Sequence, residues 1–261
     1  DNNNEFRNNL FENGSAGIYW NGASASPYEQ GMVIENNRFM NQAIYPIYLT
    51  YNNGAIIRDN YIDNTMNGYT TSYGIFLSYN YNNTRVERND IRTKRYGMYL
   101  NYLNGTSAQR AVVANNFINV THPTGTSIYG IYNYYGTYQY IYHNTVSTYN
   151  PTVTTAYTIY EAYGTYKEYR NNIIRNNGIG GTSNYCIYVQ SLGTGSSFNY
   201  NNYWWPTGSS YIAYMSNYGS FTTSQWTTFR SSTYGGANSI NINPNFISTT
   251  NYRHNNASLN V

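Results

Sequence analysis

Five of the chain's 11 acidic residues crowd into one region: Glu35, Asp59, Asp63, Glu87 and Asp90. Carboxylates brought together could hold Ca2+ beside a Lys or Arg acting as base. Two or three closely placed aspartates could instead hydrolyse a glycosidic bond. Arg92-Thr93-Lys94 lies in the same region, but no Asp-Asp pair and no Gly-His-Gly accompanies it. His122, His143 and His254 are far apart, and Cys186 has no histidine at a telling spacing. The cysteine therefore reads as a buried structural thiol. The order of signs gives the acids a structural reading. Successive copies of a short repeat place Arg7, Glu35, Arg58 and Glu87 at one position, and Asp63 aligns with Arg92. Opposite charges on adjacent strands stabilise a sheet modestly, so a salt-bridge column is expected here. Asp59, Asp63, Glu87 and Asp90 are left as weak candidates for a metal site, with Ca2+ the ion. No catalytic residue and no cofactor are assigned.

The repeat that sets these positions is Ile34-Glu35-Asn36-Asn37-Arg38-Phe39: apolar, two polar residues, Asn, any residue, apolar. It recurs seven more times, and its fourth position is always Asn: Asn9, Asn37, Asn60, Asn89, Asn116, Asn144, Asn172 and Asn201. The copies are 23 to 29 residues apart, a period that marks a repeat architecture. A straight strand cannot point both apolar ends of the motif to one face, because its side-chain period is two. The chain must bend, and the bend is expected at the Asn itself, which tolerates left-handed backbone. Stacked amides would then form a ladder from coil to coil. His143 falls where Asn36, Asn115 and Asn171 stand in other copies, so it is expected to replace an asparagine rather than to act as a base.

A second strand follows each motif: Gly17-Ile18-Tyr19, Pro46-Ile47-Tyr48, Gly74-Ile75-Phe76 and their successors. Alternation puts an isoleucine column inside, at 18, 47, 75, 131, 159, 187 and 212, with Met98 replacing it once. Tyr19, Tyr48, Phe76, Tyr99, Tyr132, Tyr160 and Tyr188 then face outward. A further column lies four residues past the isoleucines: Tyr51, Tyr79, Tyr102, Tyr135 and Tyr163. It leads into turns such as Asn52-Asn53-Gly54. These two columns are the expected ligand or partner surface, since aromatic rows at coil spacing can stack on sugars or on another rod.

The asparagine motif and its spacing resemble the right-handed parallel β-helix, the solenoid fold of pectate lyases, over residues 1 to about 203. The fold class expected is all-β, with about eight coils and a rod roughly 35–40 Å long. Residues 204–261 read as a C-terminal cap or connector, with a short helix near Ser224-Gln225-Trp226. The segment from 199 to 261 resembles the closing part of repeat-rich surface proteins exported by type IX secretion. The resemblance rests on Trp226, Asn238-Ser239-Ile240 and Asn243-Pro244-Asn245-Phe246, with Asn243 where Asp is common. It implies an extracellular, cell-surface location.

Composition bounds the rest. Only 10% of residues are charged, the net charge is +3, and 14 Lys plus Arg are scattered along the chain, which argues against a nucleic-acid surface. No run of 18 apolar residues exists, so no membrane helix is expected. The chain opens in polar Asp1-Asn2-Asn3-Asn4 without a signal peptide, as an excerpt of a longer protein would. The function expected is a non-catalytic structural or adhesive module of a larger cell-surface or filament-forming protein. Its partners would be neighbouring domains, copies of the same chain, or polysaccharide and other surface components. The alternative is a polysaccharide-binding or polysaccharide-cleaving enzyme of the β-helix class.

Overall fold

The computed structural model describes residues 2–66, 68–122, 127–150, 155–178, 183–206, 211–232 and 235–246. The chain winds into a parallel β-solenoid with three sheets. Sheet A stacks Glu5–Arg7, Val33–Glu35, Ile56–Arg58, Arg85–Glu87, Ala111–Ala114, Gln139–Tyr142, Lys167–Arg170 and Ser197–Asn199. Sheet B stacks Leu10–Glu12, Arg38–Met40, Tyr61–Asp63, Asp90–Thr93, Phe117–Thr121, Thr145–Asn150, Ile173–Gly178 and Asn202–Trp204. Sheet C stacks Ala16–Asn21, Tyr45–Asn53, Tyr73–Tyr81, Tyr96–Asn104, Ile128–Tyr134, Thr155–Ala162, Ser183–Ser191 and Tyr211–Met215. Eight strands on sheet A bound seven intervals, so the rod has about seven turns rather than eight.

Like residues pile up inside. Ile34 lies on Ile57 and Val86, and Phe39 lies on Ile62 and Ile91, all fully buried. This apolar stacking drives one coil onto the next. The isoleucine column of sheet C holds through Ile187, which registers with Ala213 and not with the expected Ile212. Ile212 is buried one residue earlier.

The ladder forms, but the bend is displaced from where the sequence suggested. The left-handed residue is the one before each ladder asparagine: Asn8, Asn36, Asp59, Arg88, Asn115, His143, Asn171 and Tyr200. That turn swings the ladder side chain inward, where it becomes buried from Asn37 to Asn201. The outer position needs only tolerance of left-handed backbone, so its identity varies. His143 occupies it as expected, with Asn171 Nδ2 at 3.5 Å from its Nε2.

The last coil is covered by a different kind of structure. Gly219–Thr222 runs antiparallel to Tyr211–Met215, and the 3-10 turn Thr223–Gln225 leads into the helix Trp226–Ser231. Phe229 is fully buried against Tyr203 and Phe221. Ser239 Oγ accepts the backbone N–H of Asn201 and so terminates the ladder.

Candidate functional site

Sheet C carries the aromatic surface, and two bends per strand create it. In Tyr45–Asn53 the half-buried residues are 45, 48, 51 and 53, with buried pairs between the first three. Residues three apart cannot share a face of a regular strand. The first bend lies just before the inward column, at Gly74, Gly97 and Gly130 in three successive coils and at Pro46, Thr158 and Cys186 in others. A Cβ on Gly97 would stand 2.2 Å from Ile118 Cγ2 and 2.4 Å from the Gly130 carbonyl oxygen. The second bend is the tyrosine itself. Tyr51, Tyr79, Tyr102, Tyr135 and Tyr163 all have left-handed backbone, with φ between 49° and 59°. The turn expected over Asn52-Asn53-Gly54 falls at Gly54, whose φ is 71°, after Asn52 and Asn53 complete the strand; the bend at Tyr51 is additional to it.

Both expected columns stack. Ring centroids from Tyr19 through Tyr48, Phe76, Tyr99, Tyr132, Tyr160 and Tyr188 are 4.2 to 5.5 Å apart, and Tyr214 extends the row. Tyr51, Tyr79, Tyr102, Tyr135 and Tyr163 are spaced 4.7 to 5.1 Å. A third column was not foreseen: Tyr45, Tyr73, Tyr96, Tyr129, Tyr157, Tyr185 and Tyr211, at 4.7 to 5.9 Å. It meets the first column edge-on, as in Tyr96–Tyr99 at 5.5 Å and 81°. Offset stacks combined with edge-to-face contacts are the arrangement that aromatic quadrupoles favour. The signal was an aromatic residue at every third position, as in Tyr73, Phe76 and Tyr79.

Ring packing desolvates the phenols. Burial pushes Tyr48, Tyr73 and Tyr160 up to about 12, and neighbouring tyrosines add to the shift. The face therefore stays neutral across physiological pH.

The acidic cluster divides between two sheets. On sheet A, Glu35 contacts Arg7 and accepts from Arg58 at 2.6 Å. The expected next rung does not continue this pattern, because Glu87 pairs with Arg85 at 2.6 Å while Arg88 takes Asp59 at 2.8 Å. The left-handed turn aims Arg88 outward beside Asp59, whose carboxyl it holds below the ordinary value. On sheet B, Asp90 pairs with Arg92 at 3.1 Å, and Asp63 accepts from Thr65 Oγ1 at 2.6 Å and Tyr61 Oη at 3.3 Å. Burial raises the Asp90 carboxyl, against the pull of Arg92. Among the described residues no three His, Cys, Asp or Glu side chains come together. His122 Nε2 lies 3.3 Å from the Thr70 carbonyl, and His254 is outside the described residues. Cys186 is fully buried, donates to the Trp204 carbonyl at 3.4 Å, and is pushed up to about 12 by burial.

One buried polar cluster also escaped the sequence reading. Asn133, Gln139, Glu161, Lys167 and Tyr169 meet inside the rod with at most 1% exposure. Asn133 and Glu161 occupy the inward column that holds Leu49, Leu77 and Leu100 in earlier coils. Following that column along the sequence would have revealed them.

No curated protein and no solved structure matches the chain. Residues 1–147 match the family model described as "Right handed beta helix region". That match covers more than half of the 261 residues; the chain belongs to the right-handed β-helix family.

Proposed function

We propose that this chain is a non-catalytic structural and adhesive module, a stiff spacer within a larger cell-surface or filament-forming protein. The observation that carries this reading is the aromatic face of sheet C, where the central column runs through every coil from Tyr19 to Tyr214. A neutral row of half-buried rings suits contact with a neighbouring domain, a second rod or the flat rings of a polysaccharide. Pairing of Glu35, Asp59, Glu87 and Asp90 with arginines supports a structural role for the acids. No metal or other cofactor is needed in this reading. Trp226 and the Asn243-to-Phe246 tail motif support export by type IX secretion and an extracellular location.

A polysaccharide-cleaving enzyme is the second reading, favoured by one observation. Asp63 and Asp90 lie on adjacent strands of sheet B, and the Asp90 carboxyl is raised. One pair of assays separates the two readings. Co-sedimentation with insoluble polysaccharide and self-association in solution are measured for the chain and for Tyr99→Ser with Tyr132→Ser. The adhesive reading expects at least one of these associations, weakened about tenfold or more by the double substitution. Release of unsaturated sugar from pectate or alginate with calcium present would overturn it in favour of the enzyme.

A further inference from the structure

The polar cluster inside the rod replaces apolar positions on two facing sheets. Asn133 and Glu161 interrupt the leucine column of sheet C, and Gln139 and Lys167 continue from Ala111 on sheet A. Tyr169 stands in the column of Val113 and Ile141. Burying an ion pair is commonly no better for stability than well-packed apolar side chains. The neighbouring coils achieve such packing with Leu77, Leu100 and Val113, so rod stability alone does not account for the cluster.

A primary amine, a carboxamide and a carboxyl group meet there, joined through Glu161. Lys167 Nζ bonds Glu161 Oε1 and the Tyr163 carbonyl. Asn133 Nδ2 lies 2.9 Å from Glu161 Oε2 and 2.9 Å from Tyr169 Oη. The amine and the carboxamide thus flank the two oxygens of one carboxyl group. Asn133 Nδ2 also lies 2.6 Å from Gln139 Oε1, and Gln139 Nε2 donates to Asn133 Oδ1 at 3.3 Å, where negative charge would develop. Tyr169 Oη bonds Glu161 Oε2 as well, fixing the carboxyl.

We propose that Lys167 and Asn133 join in an intramolecular isopeptide bond, with Glu161 carrying the proton between them. Lys167 Nζ attacks Asn133 Cγ. The new Nζ–Cγ bond forms, the Cγ–Nδ2 bond breaks, and Nδ2 leaves as ammonia. Glu161 takes one proton from Nζ through Oε1 and gives one to Nδ2 from Oε2, ending as it began. Nothing is oxidised or reduced. Burial favours the reactive forms, since it lowers the Lys167 ammonium and raises the Glu161 carboxyl. The same burial excludes water from the amide. The product would staple the Ile128–Tyr134 strand of sheet C to the Lys167–Arg170 strand of sheet A one coil later, in a rod whose single cysteine permits no internal disulfide.

Intact mass spectrometry of the folded, unmodified-sequence chain tests this directly, followed by tandem mass spectrometry of its peptides. The expected mass is lower than the sequence mass by one ammonia, with a branched peptide joining Lys167 to Asn133. The full sequence mass would overturn the proposal. So would loss of water with Lys167 joined to Glu161, or loss of ammonia mapped to a succinimide such as one at Asn104-Gly105. Because this readout needs no substitution, it stands even where a variant fails to fold. Glu161→Gln keeps the shape of the side chain without the proton carrier, and its folded form is expected at full mass. Undiminished linkage in that variant would overturn the role of Glu161.

Discussion

Each interior asparagine of the ladder meets several hydrogen-bonding demands at once. Asn116 Nδ2 donates to the Val86 carbonyl at 2.8 Å and to Asn144 Oδ1 at 2.9 Å. Its Oδ1 accepts both the backbone N–H and the Nδ2 of Asn89, each at 3.0 Å. An amide alone among short side chains combines two donors with an acceptor. Asn116→Ala would leave the Asn89 backbone N–H without its acceptor in the core and take one donor from the Val86 carbonyl, a loss of about 3 kcal/mol. Asn104 accepts one bond, from Thr137 Oγ1, at a half-buried site, and Asn104→Ala should cost about 1 kcal/mol or less. Urea denaturation of the two variants checks the difference; equal midpoints would sink the ladder argument. The ladder was legible because its chemistry permits one residue type. The left-handed turn beside it was not, because Asn, Asp, Arg, His and Tyr all occupy that position.

At the scale of the strand, corner and column depend on each other. Sheet C turns at the residue before its inward column, which is Gly in three successive coils and Pro46, Thr158 or Cys186 in others, so that aromatic residues three apart emerge on one face. Gly97→Ala places a methyl against Ile118 and the Gly130 carbonyl, with an expected loss of about 2–3 kcal/mol. Gly68→Ala meets nothing within 4 Å and should change stability by less than about 0.5 kcal/mol. Thermal melts of the pair read this contrast. The columns also set a response to alkali. In the fold, burial raises the phenols of Tyr48, Tyr73 and Tyr160 from the ordinary 10 to about 12. A raised phenol keeps its proton longer in the folded than in the unfolded chain, so its contribution is complete below pH 10 and is lost as pH climbs toward 12. The melting temperature should therefore show no tyrosine-linked fall below pH 10 and should drop steeply above it, in step with phenolate absorbance. Two of the three columns were readable as fixed offsets from the isoleucines. The third was hidden because period-two alternation assigns residues three apart to opposite faces, and only the corner bend brings them together.

For the molecule as a whole, parallel stacking supplies cohesion along the rod and leaves its ends to be covered. At the C-terminal end the antiparallel strand Gly219–Thr222 and the helix Trp226–Ser231 cover the last coil. Phe221, Trp226 and Phe229 close over Tyr203 there. A chain shortened to end at residue 215 would expose the edge of the Tyr211–Met215 strand and the core beneath it. It should elute as larger species than the full chain in size-exclusion chromatography with light scattering. An unchanged monomer-sized peak would deny the cap its role.

By itself the sequence determined the solenoid, its asparagine rungs and its buried isoleucines, because each coil repeats the same local physics and a period of 23 to 29 residues is visible in one dimension. It also determined two of the aromatic columns. Tertiary structure decided what depends on the direction of a bend or on residues from different coils. It moved the left-handed turn one residue ahead of each ladder asparagine, paired Glu87 with Arg85 and Asp59 with Arg88 in place of a continuous charge column, and opened the Tyr45-to-Tyr211 column. It also gathered Asn133, Glu161 and Lys167 in one dry interior. Those three lie 28 and 6 residues apart in sequence, and stacking one coil on the next brings them within reach of each other.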